Sequence, residues 1–361
     1  MIATLSHFQV LRPEHELDQE VILEWVAAAH ARSAQEPSVG KSVLSLLRKI
    51  GLGKGKIARR GVSVTDCLHR KWDEMEVYST GVKKSGAGLG VRMTVFDRIA
   101  TDVLTRFYPV GAKLPSNLIH VTCTGYTAPS PAQKLVAFRE AGQSTTVTHA
   151  YHMGCYAAIP AIRIALNSHD ACEIVHTEIC SLHMNPSFHS IDQLVVQSLF
   201  GDGFIKYKVS HEKEAGFQVL ALHEEIVPDS TDVMTWVCDD WGMKMTLSKE
   251  IPVLIVKALP VFVAELLRKA GVASEENVYF AIHPGGPKII EQVSSLMKLE
   301  PWQFSHSTQV LHKYGNMSSA TLPHIWNDMW NDANVPTGAK IISLAFGPGL
   351  TLAGAVLKCN R

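Results

Sequence analysis

From about residue 118 to the C-terminus, short apolar runs alternate with stretches of helical spacing, and this alternation confines the chain to an α/β fold. The runs are Leu118-Ile-His-Val-Thr122, Glu173-Ile-Val-His176, Phe204-Ile-Lys-Tyr-Lys-Val209, Phe217-Gln-Val-Leu-Ala-Leu222, Val278-Tyr-Phe-Ala-Ile282, Ile341-Ile-Ser-Leu-Ala345 and Thr351-Leu-Ala-Gly-Ala-Val-Leu357. Helices are expected at 252–270 and 287–297. Upstream, residues 14–35 predict an amphipathic helix with Leu17, Val21, Leu23, Trp25 and Val26 on its apolar faces. Residues 91–108 predict another, and the glycine-rich stretch 78–90 reads as a flexible surface loop. One strand ending at His283 and one preceding Cys155 suggest two similar halves.

Composition sets outer limits. With Lys+Arg and Asp+Glu both at 34, no global field recruits nucleic acid or a membrane surface, so an anionic ligand needs a local patch. Hydrophobic content of 46% against 19% charged describes a well-buried globular chain. Seven cysteines, an odd number without C-x-x-C spacing, read as free thiols in a reducing cytoplasm. The start, Met1-Ile-Ala-Thr-Leu, lacks a basic leader region, and no apolar run is long enough to span a bilayer. The histidines fall in no metal-ligand spacing.

Four stretches carry candidate chemistry. In Tyr151-His-Met-Gly-Cys155-Tyr-Ala-Ala-Ile-Pro160 a cysteine stands at the start of a small-residue helix, where the dipole is expected to lower its thiol pKa. Alone, it is equally a small buried hydrophobe. Ile282-His-Pro-Gly-Gly-Pro-Lys288 puts His283 at a strand end above a turn, and Tyr314-Gly-Asn316-Met-Ser-Ser offers an amide donor or a plain helix cap. Phe346-Gly347-Pro348-Gly349-Leu-Thr351 is a glycine-rich turn between strands. One thiol, one imidazole and one amide suit acyl transfer followed by carbon–carbon bond formation, and a thiol hydrolase fits the same set. A basic stretch between Lys41 and Arg60 could hold substrate phosphates or be a solvated helix end.

Gly154-Cys155, Leu199-Phe200-Gly201-Asp202-Gly203, His283-Pro-Gly-Gly-Pro287, Tyr314-Gly-Asn-Met-Ser-Ser319 and Phe346-Gly-Pro-Gly-Leu-Thr351 together resemble the type III polyketide synthases, the chalcone and stilbene synthase-like family. The likeness is specific from about residue 118 onward and looser over 40–110. It implies a thiolase-like αβαβα five-layered sandwich of two similar halves, divided here as 1–222 and 223–361, and a cytoplasmic homodimer. It implies that Cys155 is loaded from an acyl-CoA starter and extended with malonyl-CoA, with His283 and Asn316 serving decarboxylation and the oxyanion, and with no cofactor. Phe200 matches a gatekeeper aromatic, and Met245 falls on the second gatekeeper. Trp236 falls where plant members carry glycine, Cys180 and His183 where threonine is usual, and Thr124 and Ser318 on further cavity positions. Lys54, Arg59 and Arg60 fall where coenzyme A phosphates bind, and Gly347, Pro348 and Gly349 form the turn beside the cyclisation pocket. Trp236 argues for few extensions, and a small Cys180 for an aliphatic starter. The main rival is a ketoacyl-carrier-protein synthase III-like enzyme, whose partner is an acyl carrier protein. A scaffold that kept the fold without the activity is the reading from a different class.

Overall fold

The computed structural model describes residues 3–50, 52–53, 55–80, 83–273 and 278–361. The first half runs β1 (Ala3–Leu11), β2 (His15–Asp18), α1 (Gln19–Ala34), α2 (Pro37–Lys49), β3 (Arg59–Val62), α3 (Leu89–Phe107), β4 (Asn117–Thr122), α4 (Pro131–Phe138), β5 (Thr146–Tyr151), α5 (Ala158–Leu166), β6 (Cys172–Glu178), α6 (Ile191–Leu199) and β7 (Gly203–Ser210). The second runs β8 (Gly216–Ile226), β9 (Met234–Asp239), β10 (Gly242–Leu247), α7 (Ile251–Ala270), β11 (Val278–Ile282), α8 (Pro287–Leu296), α9 (Ser305–Tyr314), α10 (Thr321–Asn331), β12 (Lys340–Gly347) and β13 (Thr351–Asn360). The divide expected between residues 222 and 223 falls inside β8.

Among the described residues, nine strands are hydrogen-bonded in the order β11-β12-β13-β8-β1-β7-β6-β4-β5. The halves join through a short antiparallel seam in which Ala3, Thr4 and Leu5 of β1 face Val219, Gln218 and Phe217 of β8. Parallel pairing is confined to β4 with β5 and β6, and to β11 with β12. Of these, β4, β6, β11 and β12 are mostly buried because helices cover both faces, whereas β5 is a more exposed edge strand. One core unites α5 and α10 with residues of both half-sheets; a second packs α1, α3 and α4 on the outer face of the first half, and a third packs α7 and α8 on that of the second. The result is the five-layered α-β-α-β-α sandwich expected. No helix among the described residues is long and apolar enough to cross a membrane.

The shared layer requires small side chains. Ala157, Ala158, Ala161 and Ala165 are all buried, so α5 lies close between the two half-sheets. Its neighbour α10 fills the remaining space with Trp326, whose indole N–H donates to Ser343 Oγ at 2.8 Å.

Three local expectations are corrected. Residues 14–35 are not one helix: His15–Asp18 pair antiparallel with Arg59–Val62, and the helix starts at Gln19, whose buried amide donates to the carbonyls of Leu52 and Ser198. Val21 faces outward, and Ile22 takes its place in the core. The stretch 78–90 is anchored rather than a free surface loop. Tyr78 is fully buried, its backbone N–H donating to Asp66, and Gly86 at φ +79° sits so close to the Val77 carbonyl that no Cβ fits.

Among the buried histidines, six (His30, His120, His176, His183, His283 and His324) have their pKa lowered by burial, to about 4 for His30 and about 3 for the others. Each takes up a proton in the unfolded chain near pH 6.5 but not in the folded one until far lower. Stability is therefore intact above about 6.5 and falls as pH drops toward the folded values. Thermal unfolding followed by circular dichroism should show a Tm about 10 °C lower at pH 5 than at pH 7.5. An unchanged Tm would mean that these rings are protonated in the folded protein.

Candidate active site

Cys155 sits in a single 3₁₀ turn, Gly154–Tyr156, between the end of β5 and the start of α5. The chain reaches it through two left-handed residues, His152 at φ +63° and Gly154 at φ +81°. A Cβ on Gly154 would lie 2.5 Å from Pro348 Cδ, and one on Gly347 would lie 2.2 Å from the Tyr156 ring. The glycines of the two turns thus let the Gly347-Pro-Gly349 loop lie directly on the Cys155 turn. Below it, the Gly154 N–H donates to Cys123 Sγ at 3.0 Å.

Asn316 enters from the other half. Its backbone N–H donates to Leu199 O and its carbonyl accepts from Gly201 N–H, so the Phe200 segment and the Asn316 segment form a small bridge. The side-chain oxygen accepts from Ser318 N–H at 2.8 Å and from the Thr321 hydroxyl at 3.3 Å. Those two donors fix the amide orientation, and its NH₂ group faces Cys155 Sγ at 3.9 Å. Ser318, left-handed at φ +49°, brings its hydroxyl to 4.0 Å from the same sulfur.

His283 follows β11, its backbone N–H donating to Leu344 O at 2.7 Å. Both ring nitrogens are buried without a hydrogen-bond partner among the described residues. The ring lines one cavity with Cys155 and Asn316.

Burial pushes the Cys155 thiol up to about 12, with the nearby Glu178 adding to the rise and the Ser318 and Asn316 side chains opposing it. Burial thus opposes the acidification expected at the start of the helix. Burial likewise pushes His283 down to about 3. Each charge is disfavoured singly, so the chemistry this pair supports is a proton transfer that creates thiolate and imidazolium together.

Two cavities meet at Cys155, Phe200, Met234 and Met245. The outer one, about 220 Å³, is walled by aliphatic residues of α6, α7 and the Gly285–Ile289 segment and contains His283, Asn316 and Lys288. The inner one, about 50 Å³, takes in Thr124, Cys180, His183, Trp236 and Ser318, together with Cys123 and Cys67. The expected gatekeepers Phe200 and Met245 therefore stand at the junction. Trp236 is fastened in place: its indole N–H donates to Cys123 O at 2.6 Å, and its own carbonyl accepts from His152 Nε2 at 2.8 Å. His183 is not a free acid or base. Its Nδ1 accepts from Met243 N–H and its Nε2 donates to Thr124 O, which fixes a neutral tautomer.

The cation expectations fare differently. Lys54 lies outside the described residues. Arg59 is exposed and paired with Asp18 at 3.1 Å. Arg60 is buried, donating to Gln19 Oε1 and to the carbonyls of Gln197 and Phe200, so it braces the Phe200 segment, and it also lines the inner chamber. Sequence reasoning missed Cys123, Met234 and Lys288. Cys123 directly follows an apolar strand, as His283 does, and that signal was available; Met234 lies on the β9–β10 hairpin, which has no apolar run to announce it.

The fold is of the thiolase type. Residues 218–360 match the family described as chalcone and stilbene synthases, C-terminal domain. The chain is 26% identical over 361 residues to 1,3,6,8-tetrahydroxynaphthalene synthase of Streptomyces coelicolor, covering 97% of this chain and 90% of that protein. It is 30% identical over 257 residues to Probable polyketide synthase 1 of Dictyostelium discoideum, covering 67% of this chain but only 8% of that much longer protein. In structure it matches the C-terminal type III polyketide synthase domain of Steely1, a type I/III hybrid from Dictyostelium, with a TM-score of 0.85 at 22% identity and 100% coverage of both chains. The chain belongs to the chalcone and stilbene synthase-like, type III polyketide synthase family.

Substituting Gly154→Ala forces a Cβ into Pro348 at a left-handed position. It should cost about 1–3 kcal/mol of stability and slow alkylation of Cys155, read by peptide mass spectrometry; a variant with wild-type stability and reactivity would contradict the close packing of the two turns.

Proposed function

We propose that the chain is an acyltransferase that loads an acyl group from a coenzyme A thioester onto Cys155 and extends it by decarboxylative condensation with malonyl-CoA. The observation that carries this reading is the convergence of Cys155, His283 and Asn316, from two halves of the chain, on one cavity with the Asn316 amide NH₂ turned toward the sulfur. In loading, His283 takes the thiol proton as sulfur attacks the thioester carbonyl, coenzyme A thiolate leaves, and the proton goes to it. In extension, the malonyl carboxylate leaves as carbon dioxide, and its electron pair forms an enolate whose oxygen is held by N–H donors of His283 and Asn316. The enolate carbon then attacks the Cys155 thioester carbonyl, the C–S bond to Cys155 breaks, and the cysteine thiolate leaves as the lengthened chain passes to coenzyme A. An uncharged amide suits this task, since a carboxylate would repel the enolate.

The inner chamber favours few extensions. At about 50 Å³, with Trp236 clamped across it, it is smaller than the roughly 150 Å³ that holds one benzene ring. Its walls are almost wholly apolar, including Cys180, Met184 and Val196, which suits an aliphatic starter. Products of pyrone, resorcinol or β-keto acid type are consistent with that space. A carrier-protein thioester is the alternative donor, since the outer cavity would admit the same pantetheine arm. We also propose a homodimer through β5, an exposed sheet edge without Lys, Arg, Asp or Glu, which a second copy could extend.

With a ladder of acyl-CoA starters, mass spectrometry should find the acyl group on Cys155 and none on Cys155→Ala. Asn316→Ala should still load while malonyl-CoA decarboxylation falls about 100-fold; equal loading of Cys155→Ala would overturn the assignment. An aromatic starter carried through three extensions would rule out the small-cavity reading. Sedimentation should give twice the monomer mass, and a monomer at micromolar concentration would remove the β5 pairing.

A further inference from the structure

Arg60 stands among the walls of the inner chamber with only part of its hydrogen-bonding capacity used. The residue lies on β3 and is 3% exposed. A guanidinium carries five N–H donors in a rigid fork. Nε donates to Gln19 Oε1 at 2.7 Å, and Nη1 donates to Gln197 O at 2.8 Å and to Phe200 O at 2.7 Å. Nη2, with its two hydrogens, is buried without a hydrogen-bond partner among the described residues.

The surroundings do not supply the missing acceptor. Asp202 supports the charge from nearby, but its oxygens accept from Ser63 N–H, Ser181 N–H and the Ser181 hydroxyl. Nor is the side chain free to swing toward another. A Cβ on Gly201 would lie 3.1 Å from Arg60 Cβ, and one on Gly315 would lie 3.0 Å from its Cγ. The glycines flanking the Phe200–Asn316 bridge therefore hold the aliphatic stem between them. Burial lowers the guanidinium to about 10, with Cys67, Asp202 and Cys180 opposing the fall, so it stays a cation at neutral pH. Cys67 and Cys180 are chamber walls themselves, which sets the cation beside the space an acyl chain would fill. A buried donor left unpaired is unfavourable. A ligand oxygen that pairs with it recovers that loss, and an alkyl chain of the same length does not.

We propose that Arg60 is a specificity-determining residue of the inner chamber: its free Nη2 donates to an oxygen of the acyl chain, so the chamber selects chains carrying a keto or carboxylate oxygen over plain alkyl chains of equal length. The inference rests on the acyl-transfer reading. It narrows the aliphatic starter to one that carries such an oxygen or acquires it on the first extension.

Three four-carbon thioesters provide the test. Butyryl-CoA has no further oxygen, acetoacetyl-CoA has a keto oxygen and succinyl-CoA has a carboxylate. Loading onto Cys155 is followed by mass spectrometry of the intact protein. Each rate is divided by that of exchange with a small free thiol, which removes differences in intrinsic reactivity. The wild type should load at least one oxygen-bearing chain about tenfold faster than butyryl. Preference for acetoacetyl alone assigns the contact to a keto oxygen, and preference for succinyl alone assigns it to a carboxylate; both uphold the proposal. In Arg60→Met the ratio should fall to about one, whereas loss of bracing by itself would slow all three chains alike. A wild-type ratio near one overturns the proposal, and so does a folded Arg60→Met that keeps the wild-type ratio. If Arg60→Met does not fold, the wild-type ratio decides alone. Equal loading of all three chains defeats this inference only; a wild type that loads none of them defeats the acyl-transfer reading and the inference with it.

Discussion

The site depends on two helices sharing one layer. Residues of α5 and α10 share one core with both half-sheets, and the chain enters each helix from a short 3₁₀ turn, Gly154–Tyr156 in one case and Ser318–Ala320 in the other. Because alanines let α5 approach both sheets, the two entry turns meet, and Cys155 and Asn316 come within 4 Å although 161 residues separate them. A larger residue at Ala158 or Ala161 would push the layer apart, since overpacking in a dense core moves backbone. The distance between nucleophile and amide is thus a consequence of core packing.

Exclusion of water is the second constraint, and it works against ionisation. Burial drives the thiol up and the imidazole down, so it disfavours either charge alone. In the proposed reaction a proton passing from sulfur to nitrogen creates both charges together, beside an amide whose NH₂ group is already aimed at the sulfur. Preorganised dipoles of this kind need no reorganisation at the moment of reaction. Fixed elements complete the enclosure: Trp236 tied to Cys123, His183 tied to Met243 and Thr124, and Arg60 bracing the carbonyl of Phe200.

Much of this could be read from the chain. The strands around Leu118, Glu173, Phe204 and Val278 fall where their apolar runs stand, because runs bounded by turn residues leave little choice of state. The start of α1 was not legible. His15–Asp18 have helical spacing but are captured by Arg59–Val62, forty-odd residues away, and a local pattern carries no record of that partner. Arg60 misled for a related reason: its charge suggested a surface role, whereas Gln19 and two backbone carbonyls give a buried guanidinium enough acceptors to stay inside.

The sequence by itself determined the alternation of strands and helices, the small residues that let α5 be buried, and the glycines at 154 and 347 without which two turns could not touch. Those are local matters of period, volume and backbone freedom. Only the tertiary structure decided that Cys155, His283 and Asn316 share a cavity, that the thiol is buried where water is excluded and that Trp236 closes the chamber. Such facts depend on which surfaces exclude water and which donors arrive from distant parts of the chain, and no spacing along the sequence encodes either.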